Sequence, residues 1–459
     1  MKINLSGRMK NVAKISSGSV MGQIISIVTL PVITRIYGAD IIGGWTAIYA
    51  ISSILVYLCD LGLSQAIMVE EDEKIERLYQ IITTVSLVLS IVSMVPVFLY
   101  YRFAMHQSMS EAVINGLFVV VYTFTFRQAQ TCYTWLNREK QYNILMKNPV
   151  INYSAAAAVS VVLGVAGMKQ YGYYIGTTLG QVITLIHMKR RLPKRMFCFS
   201  WNETRAAAVE HAEFVKYQMP AQITAQLRHQ LPNLLIGSLF GETMLGYFSI
   251  SQKLISIPIN FIGQALGKVF YQTLAELKRT GRDVAAFVER NMTRSMKILF
   301  VPMILFAAFG DAAIVMFFGA EYAIGGTISR IMVFRGCFTF ISTALTGIDI
   351  VLQKQKYSML TCVFQTIFAS LGVIVTYYST QNIYVCTFVI VAVFIVAQMW
   401  YFGRMYRFLN LEQKRYYKNM SLLLAAILIC SYILRWGFCG AAELTGWSFL
   451  LWLKGFMVL

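Results

Sequence analysis

Apolar residues run along this chain in stretches of about twenty, separated by short polar connections. The pattern predicts helices near 13–36, 41–67, 79–101, 112–134, 149–168, 171–188, 216–239, 243–268, 297–318, 325–352, 357–378, 382–402 and 419–437. At a rise of about 1.5 Å per residue, twenty residues cross the roughly 30 Å hydrocarbon core of a bilayer. A fourteenth stretch, 444–459, carries Lys454 and is short if it starts after Gly446. The expectation is an all-α membrane protein of about 14 transmembrane helices.

The polar connections alternate in basic content. One set holds the N-terminal segment with Lys2, Arg8, Lys10 and Lys14, then Lys74 and Arg77, then Arg138, Lys140 and Lys147. It continues through 189–216, 268–297, Lys354 with Lys356, and 404–418, all rich in Lys and Arg. The intervening set holds only Arg35, Arg102, Lys169 and Arg435. By the positive-inside rule the rich set, and with it the N-terminus, faces the cytoplasm. The basic start before the first apolar run resembles a signal peptide, but the run is long, contains Gln23 and lacks a small-residue cleavage site, so it reads as an uncleaved span.

Composition agrees with lipid as the solvent: 57% of residues are hydrophobic and 13% charged. A net charge of +19 could suggest nucleic acid, but the basic residues sit in clusters between apolar runs, so no nucleic-acid partner is expected. The eight cysteines form no CxxC pair or His/Cys cluster, which indicates neither a metal site nor a disulfide framework. No GxxxxGK[ST], HExxH or GxSxG motif occurs, and no connection is long enough for a soluble catalytic domain. These absences point away from an enzyme, and no cofactor is expected. Residues 274–294 read either as an interfacial helix or as a solvated loop, and the acidic run Glu70–Glu73 as a solvated surface.

An internal repeat organises the chain. YGADIIGGWT (37–46) aligns without gaps with FGETMLGYFS (240–249), and each follows a Leu-Pro pair, Leu30-Pro31 and Leu231-Pro232. The copies lie six spans apart, an even number, so the halves would be parallel repeats of the kind that rock to give alternating access. The expected division is a six-helix lobe 1–188, a cytoplasmic linker 189–215, a second six-helix lobe 216–402 and a C-terminal helix pair 403–459.

Several spans carry polar residues at helical spacing. A charge near the bilayer centre costs about 2.5–3.5 kcal/mol on insertion scales, so such residues usually face a protein interior or a wet cavity. The stripes are Ser16, Ser19, Gln23, Ser26; Thr46, Tyr49, Ser53, Tyr57, Asp60, Ser64; and Thr123, Arg127, Gln130, Thr134. In the second half they are Gln218, Gln222, Gln226, His229, Asn233; Lys253, Ser256, Asn260, Gln264, Lys268; and Arg335, Thr339, Ser342, Thr346, Asp349. Arg35, Arg330 and Lys268, near span ends, read as snorkelling or paired charges. Arg127, Arg228, Lys253 and Arg335 lie deep, against Asp60 and Asp349. A cationic cavity between the lobes suits an anionic ligand, because guanidinium groups grip phosphate oxygens in bidentate fashion.

The motifs TRIYGADIIGGW (34–45), DLGLSQAI (60–67), NREKQYN (137–143), KYQMPAQ (216–222) and FGETMLGYFSISQKL (240–254), in this order, resemble the polysaccharide (Wzx-type) flippases of the multidrug/oligosaccharidyl-lipid/polysaccharide (MOP) exporter superfamily. The resemblance implies two pseudo-symmetric six-helix lobes plus two C-terminal helices, in the bacterial cytoplasmic membrane. It also implies a flippase for undecaprenyl-pyrophosphate-linked oligosaccharide repeat units in O-antigen, capsule or exopolysaccharide assembly. Substrate contacts would then come from Arg127, Arg228, Lys253, Arg335, Gln23, Gln222, Gln226, Asn260 and Gln264, with Asp60 and Asp349 as ion-coupling candidates. The partners implied are the lipid-linked oligosaccharide, membrane lipids, a polysaccharide polymerase and a chain-length regulator. The alternatives are an ion-coupled multidrug or cation antiporter of the same superfamily, which would need acidic residues deep in a cavity, and a lipid II-type peptidoglycan precursor flippase.

Overall fold

A computed structural model describes residues 5–193 and 195–457, with side chains for all of these except 5–16, Pro258 and Asn260. Among the described residues the regular structure is helical throughout, and ten helical stretches are long and apolar enough to cross a membrane. The protein is a multi-pass membrane protein. Its helices group by packing into two compact units, Met1–Leu245 and Gly246–Leu459.

The first unit opens with α1 (Leu5–Leu58), in which the two expected spans 13–36 and 41–67 meet at a single non-helical residue, Gly38. The second span was expected to reach residue 67, but α1 stops at Leu58 and the chain turns into a 3₁₀ helix, Leu63–Met68. There follow α2 (Asp72–Val92), α3 (Met94–Leu99), a π-helical turn Tyr100–Ala104, α4 (Met109–Arg138), α5 (Tyr142–Val165) and α6 (Gly172–Lys189). The unit ends with α7 (Trp201–Glu210) and α8 (Met219–Phe240).

Small residues set the α5–α6 contact. A Cβ at Gly176 would stand 2.1 Å from Ser160 Oγ, and one at Gly180 2.8 Å from Ala156 Cβ. Both pairs are spaced i, i+4, the small-xxx-small pattern that lets membrane helices approach closely without a hydrophobic driving force.

The expected linker 189–215 is held against the first unit. Its helix α7 contacts α2 through Glu203 with Arg77 and through Glu210 with Lys74, at 3.1 Å. His211 Nε2 lies 3.0 Å from a carboxylate oxygen of Glu70, and the Cys198 amide donates to Thr84 Oγ1 at 2.9 Å. The acidic run is therefore not a merely solvated surface. Glu70 is largely covered beside His211, and Asp72 pairs with Arg138. The Arg77 guanidinium bonded to Glu203 holds that carboxyl below the ordinary glutamate range.

The second unit is built on α9 (Glu242–Pro258), whose first four residues belong to the first unit. A π-helical turn Ile259–Gly263, α10 (Gln264–Arg279), α11 (Val284–Phe318) and α12 (Ala323–Ala344) come next. They are followed by α13 (Ile348–Val351), α14 (Gln355–Thr380), α15 (Ile383–Phe408), α16 (Gln413–Thr445) and α17 (Ser448–Phe456). Residues 274–294 are not a loop: α10 runs on to Arg279, and α11 starts at Val284 after one short turn. The expected helix 325–352 stops at Ala344 and resumes only as the four-residue α13. The nine residues of α17 rise about 13 Å, less than half the hydrocarbon thickness. Leu453 and Met457 pack on Ala312 of α11.

The repeated motif has a structural counterpart. Gly38 adopts φ 76°, ψ 174° and Gly241 adopts φ 90°, ψ 168°, a region that only glycine occupies without strain. Gly319 adopts the same conformation, φ 109°, ψ 164°, between α11 and α12. Each turn is an aromatic–Gly pair, Tyr37-Gly38, Phe240-Gly241 and Phe318-Gly319. The sequence pattern shows two copies, and among the described residues this aromatic–Gly turn recurs a third time at Phe318-Gly319.

Candidate functional site

The polar stripes of α1, α4 and α8 converge in the first unit. Where α1 ends, Asp60 bonds to the 3₁₀ helix that follows: the Ser64 amide donates to Oδ1 at 3.1 Å and the Ser64 hydroxyl to Oδ2 at 2.7 Å. From α4, Arg127 brings Nη2 to 3.5 Å from Asp60 Oδ1. Its Nε and Nη2 donate to Thr131 Oγ1, one turn further along α4, at 3.3 and 3.2 Å. Both charged residues are deeply buried, Asp60 at 1% and Arg127 at 2% exposure. The ion pair is a loose one, since 3.5 Å lies beyond a charge-assisted hydrogen bond.

Arg127 forms part of the wall of a cavity of about 230 Å³. The remaining wall is Tyr57, Ser64, Gln65, Gln130, Thr134, Gln222, Ala225 and Gln226. It presents one guanidinium, four amides and several hydroxyls, and no carboxylate. Amides and hydroxyls both donate and accept, as sugar hydroxyls and phosphate oxygens require. Pockets that enclose drug-sized ligands run from about 300 Å³ upward, so this cavity suits one compact ionic group rather than a whole oligosaccharide. Gln65 is absent from the sequence expectation because it stands one residue after Ser64 and so falls off the helical stripe.

At its other end α8 is tied into the same unit. The Tyr100 hydroxyl donates to the Leu234 carbonyl at 3.1 Å, and Gln107 Nε2 donates to Glu242 Oε1 at 2.7 Å. Asn115 Nδ2 donates in turn to Gln107 Oε1 at 2.8 Å. None of Tyr100, Gln107, Asn115 and Glu242 was singled out from the sequence, since they lie outside the stripes.

The other expected site residues are spread over both units. Gln23 is half-buried on α1 and Arg228 half-buried on α8, with its Nη2 2.9 Å from His229 Nε2; neither lines the cavity. In the second unit Lys253 and Gln264 are exposed, and Arg335 is half-buried with its guanidinium 5.0 Å from the centre of the Phe394 ring. Asp349 is half-buried in α13. The side chain of Asn260 lies outside the described residues.

A family model described as polysaccharide biosynthesis protein matches residues 24–324, well over half of the chain. The chain belongs to this family. Among solved structures, the polysaccharide biosynthesis protein is similar to the lipid II flippase MurJ in its inward closed conformation, at 10% identity and a TM-score of 0.68, over 91% of this chain and 97% of that one. It is also similar to an inward-facing multidrug resistance MATE family transporter of the MOP superfamily, at 15% identity and a TM-score of 0.56, over 86% and 95%. The fold is that of MOP-type transporters. Among curated proteins no sequence match was found.

A second buried charge cluster in this polysaccharide biosynthesis protein was not anticipated. Arg435, grouped with the basic-poor connections at the end of the expected span 419–437, lies wholly buried inside α16, which continues to Thr445. Its Nη1 donates to Asp311 Oδ1 at 3.0 Å and to the Ala308 carbonyl at 2.8 Å, and its Nη2 to Asp311 Oδ2 at 2.6 Å. Arg330 of α12 brings Nη1 to 3.5 Å from Asp311 Oδ2 and donates from Nε to the Ala307 carbonyl at 3.1 Å. Arg330 was expected to be paired or snorkelling, and it is paired. The signal that could have found this cluster was a lone carboxylate in one apolar run and a lone guanidinium in another.

Proposed function

We propose that this protein is a flippase that moves undecaprenyl-pyrophosphate-linked oligosaccharide repeat units across the bacterial cytoplasmic membrane by alternating access, and that it is not an enzyme. The observation that carries the reading is the wall chemistry of the first-unit cavity: a loosely paired guanidinium among amides and hydroxyls, with no carboxylate facing the space. Membership of the polysaccharide biosynthesis family and the MOP-type fold support it. Arg127 contacts the pyrophosphate, and Gln222 and Gln226 contact pyrophosphate or sugar oxygens. Gln23, Arg228, Lys253, Asn260, Gln264 and Arg335 extend the path for acidic sugars and hydroxyls, while the lipid tail stays in the bilayer. Asp349 is the candidate for ion coupling. A polysaccharide polymerase and a chain-length regulator take up the product.

The N-terminus is cytoplasmic in this proposal, on the strength of the charge alternation. The lobes 1–188 and 216–402, the linker 189–215 and the helix pair 403–459 follow the repeat. That division is of pattern, whereas the compact units follow packing, which sets α8 beside α1.

The test is Arg127→Ala in cells that depend on this protein for surface polysaccharide. Lipid-linked repeat units should accumulate on the cytoplasmic leaflet, with export falling at least tenfold, the scale of losing one charge-assisted contact. Unchanged export at normal protein level overturns the assignment of Arg127. Rescue of a strain lacking its lipid II flippase would favour the peptidoglycan precursor instead. A cation antiporter requires a carboxylate facing the ligand, and dye extrusion under an ion gradient would establish it.

A further inference from the structure

Asp60 and Arg127 form a buried ion pair that touches the cavity with one member only. Arg127 is in the wall and Asp60 lies behind it. A guanidinium this deeply buried cannot stand without a counter-charge, because removing one partner of a buried pair leaves an uncompensated ion in low dielectric. When the cavity is empty, Asp60 supplies that charge. A pyrophosphate in the cavity would supply it in place of Asp60.

The geometry favours exchange. The contact to Asp60 is 3.5 Å and single, whereas Asp60 has firmer partners in the Ser64 amide and hydroxyl at 3.1 and 2.7 Å. Arg127 is steadied by the Thr131 hydroxyl, which turns with its own helix. Asp311 and Arg435 show the opposite design, with two hydrogen bonds between guanidinium and carboxylate of 3.0 and 2.6 Å and a third to a carbonyl.

We propose that Asp60 is a resident competitor: its carboxylate reclaims Arg127 when the phosphate-bearing headgroup leaves, which lowers headgroup affinity and speeds release. This rests on the flippase reading and deepens it. Asp60 acts through Arg127 and is a positioning residue, not a carrier of the coupling ion. A transporter gains from such a competitor because a ligand bound too tightly in one state is slow to leave the other.

The test compares full-length wild type, Asp60→Asn and Arg127→Ala, purified in detergent, for binding of inorganic pyrophosphate by calorimetry, alongside polysaccharide export in cells. Asparagine keeps an oxygen acceptor for the Ser64 amide and removes the charge, so a purely structural role of Asp60 leaves pyrophosphate affinity where it was. The expected result is pyrophosphate binding tightened by about 3- to 10-fold in Asp60→Asn, with export reduced. Asp60→Glu keeps the competitor and binds no more tightly than wild type. Affinity unchanged or weakened in folded Asp60→Asn overturns the proposal. If Asp60→Asn does not fold, tighter binding by Asp60→Glu overturns it equally. Arg127→Ala that still binds pyrophosphate as wild type does would sink the flippase reading of the cavity itself, a separate outcome.

Discussion

Two buried arginines of this protein stand beside one carboxylate each, and their hydrogen bonds separate their roles. Arg435 holds both oxygens of Asp311 and a backbone carbonyl, at 0% exposure, and joins α16 to α11. Both of its terminal nitrogens are engaged, and at 0% exposure it lines no cavity wall. Asp311→Ala would leave Arg435 and Arg330 facing each other without a counter-charge, at a cost of about 3–5 kcal/mol. A large drop in the thermal midpoint of the purified protein is expected, and an unchanged midpoint would mean that the pair is dispensable. Arg127 and its neighbours were legible from the sequence because three stripes at helical spacing named the faces that meet. Asp311 was not legible, because a single acidic residue in an apolar run makes no stripe. Its partner comes from a helix over a hundred residues away, and no local periodicity carries that information.

At the scale of elements, glycine turns and the docked segment 189–215 carry testable consequences. The turns at Gly38, Gly241 and Gly319 lie where a Cβ is strained whatever the space around it, so Gly241→Ala should cost about 1–3 kcal/mol. Gly437 makes the contrast: it lies inside α16, and a Cβ added there would meet nothing within 4 Å. Its change to Ala should be neutral or stabilise by up to about 1 kcal/mol. Thermal midpoints in detergent check both, and equal effects would contradict the backbone argument. The third turn escaped the sequence comparison for a physical reason. The glycine that the other two copies share five residues after the turn, Gly43 and Gly246, is replaced by Ile324 here, just past a 3₁₀ turn, Ala320–Tyr322, that precedes α12. The docked segment adds a pH dependence. Glu203 has its folded pKa lowered by Arg77, so its contribution to docking is present above the ordinary glutamate value and is lost as pH falls through the lower folded value. Trypsin should cut at Arg205 faster in Glu203→Gln than in wild type at neutral pH. The difference should vanish in acid, read with an acid-active protease, and no difference at neutral pH would count against docking through this contact.

For the molecule as a whole, hydropathy and function pull on the same helices in opposite directions. α8 is not among the ten stretches apolar enough to be recognised as spans, yet it supplies Gln222, Ala225 and Gln226 to the cavity wall. A helix that lines a wet cavity must give up apolar residues to do so, and its neighbours then shield it from lipid. What identified α8 as a span was the charge alternation of the connections, which stays in phase only if 216–239 crosses. That alternation also predicts orientation. Cysteine introduced at Arg205 should react with a membrane-impermeant maleimide only after the membrane is opened, whereas cysteine at Thr243, next to the Gly241 turn, should react in intact spheroplasts. Both residues are exposed, so access is decided by side and not by packing. The reverse pattern would place the basic connections outside. Since the cavity proposed for the headgroup lies near the basic ends of α1, α4 and α8, reversal would also turn the proposed export into import.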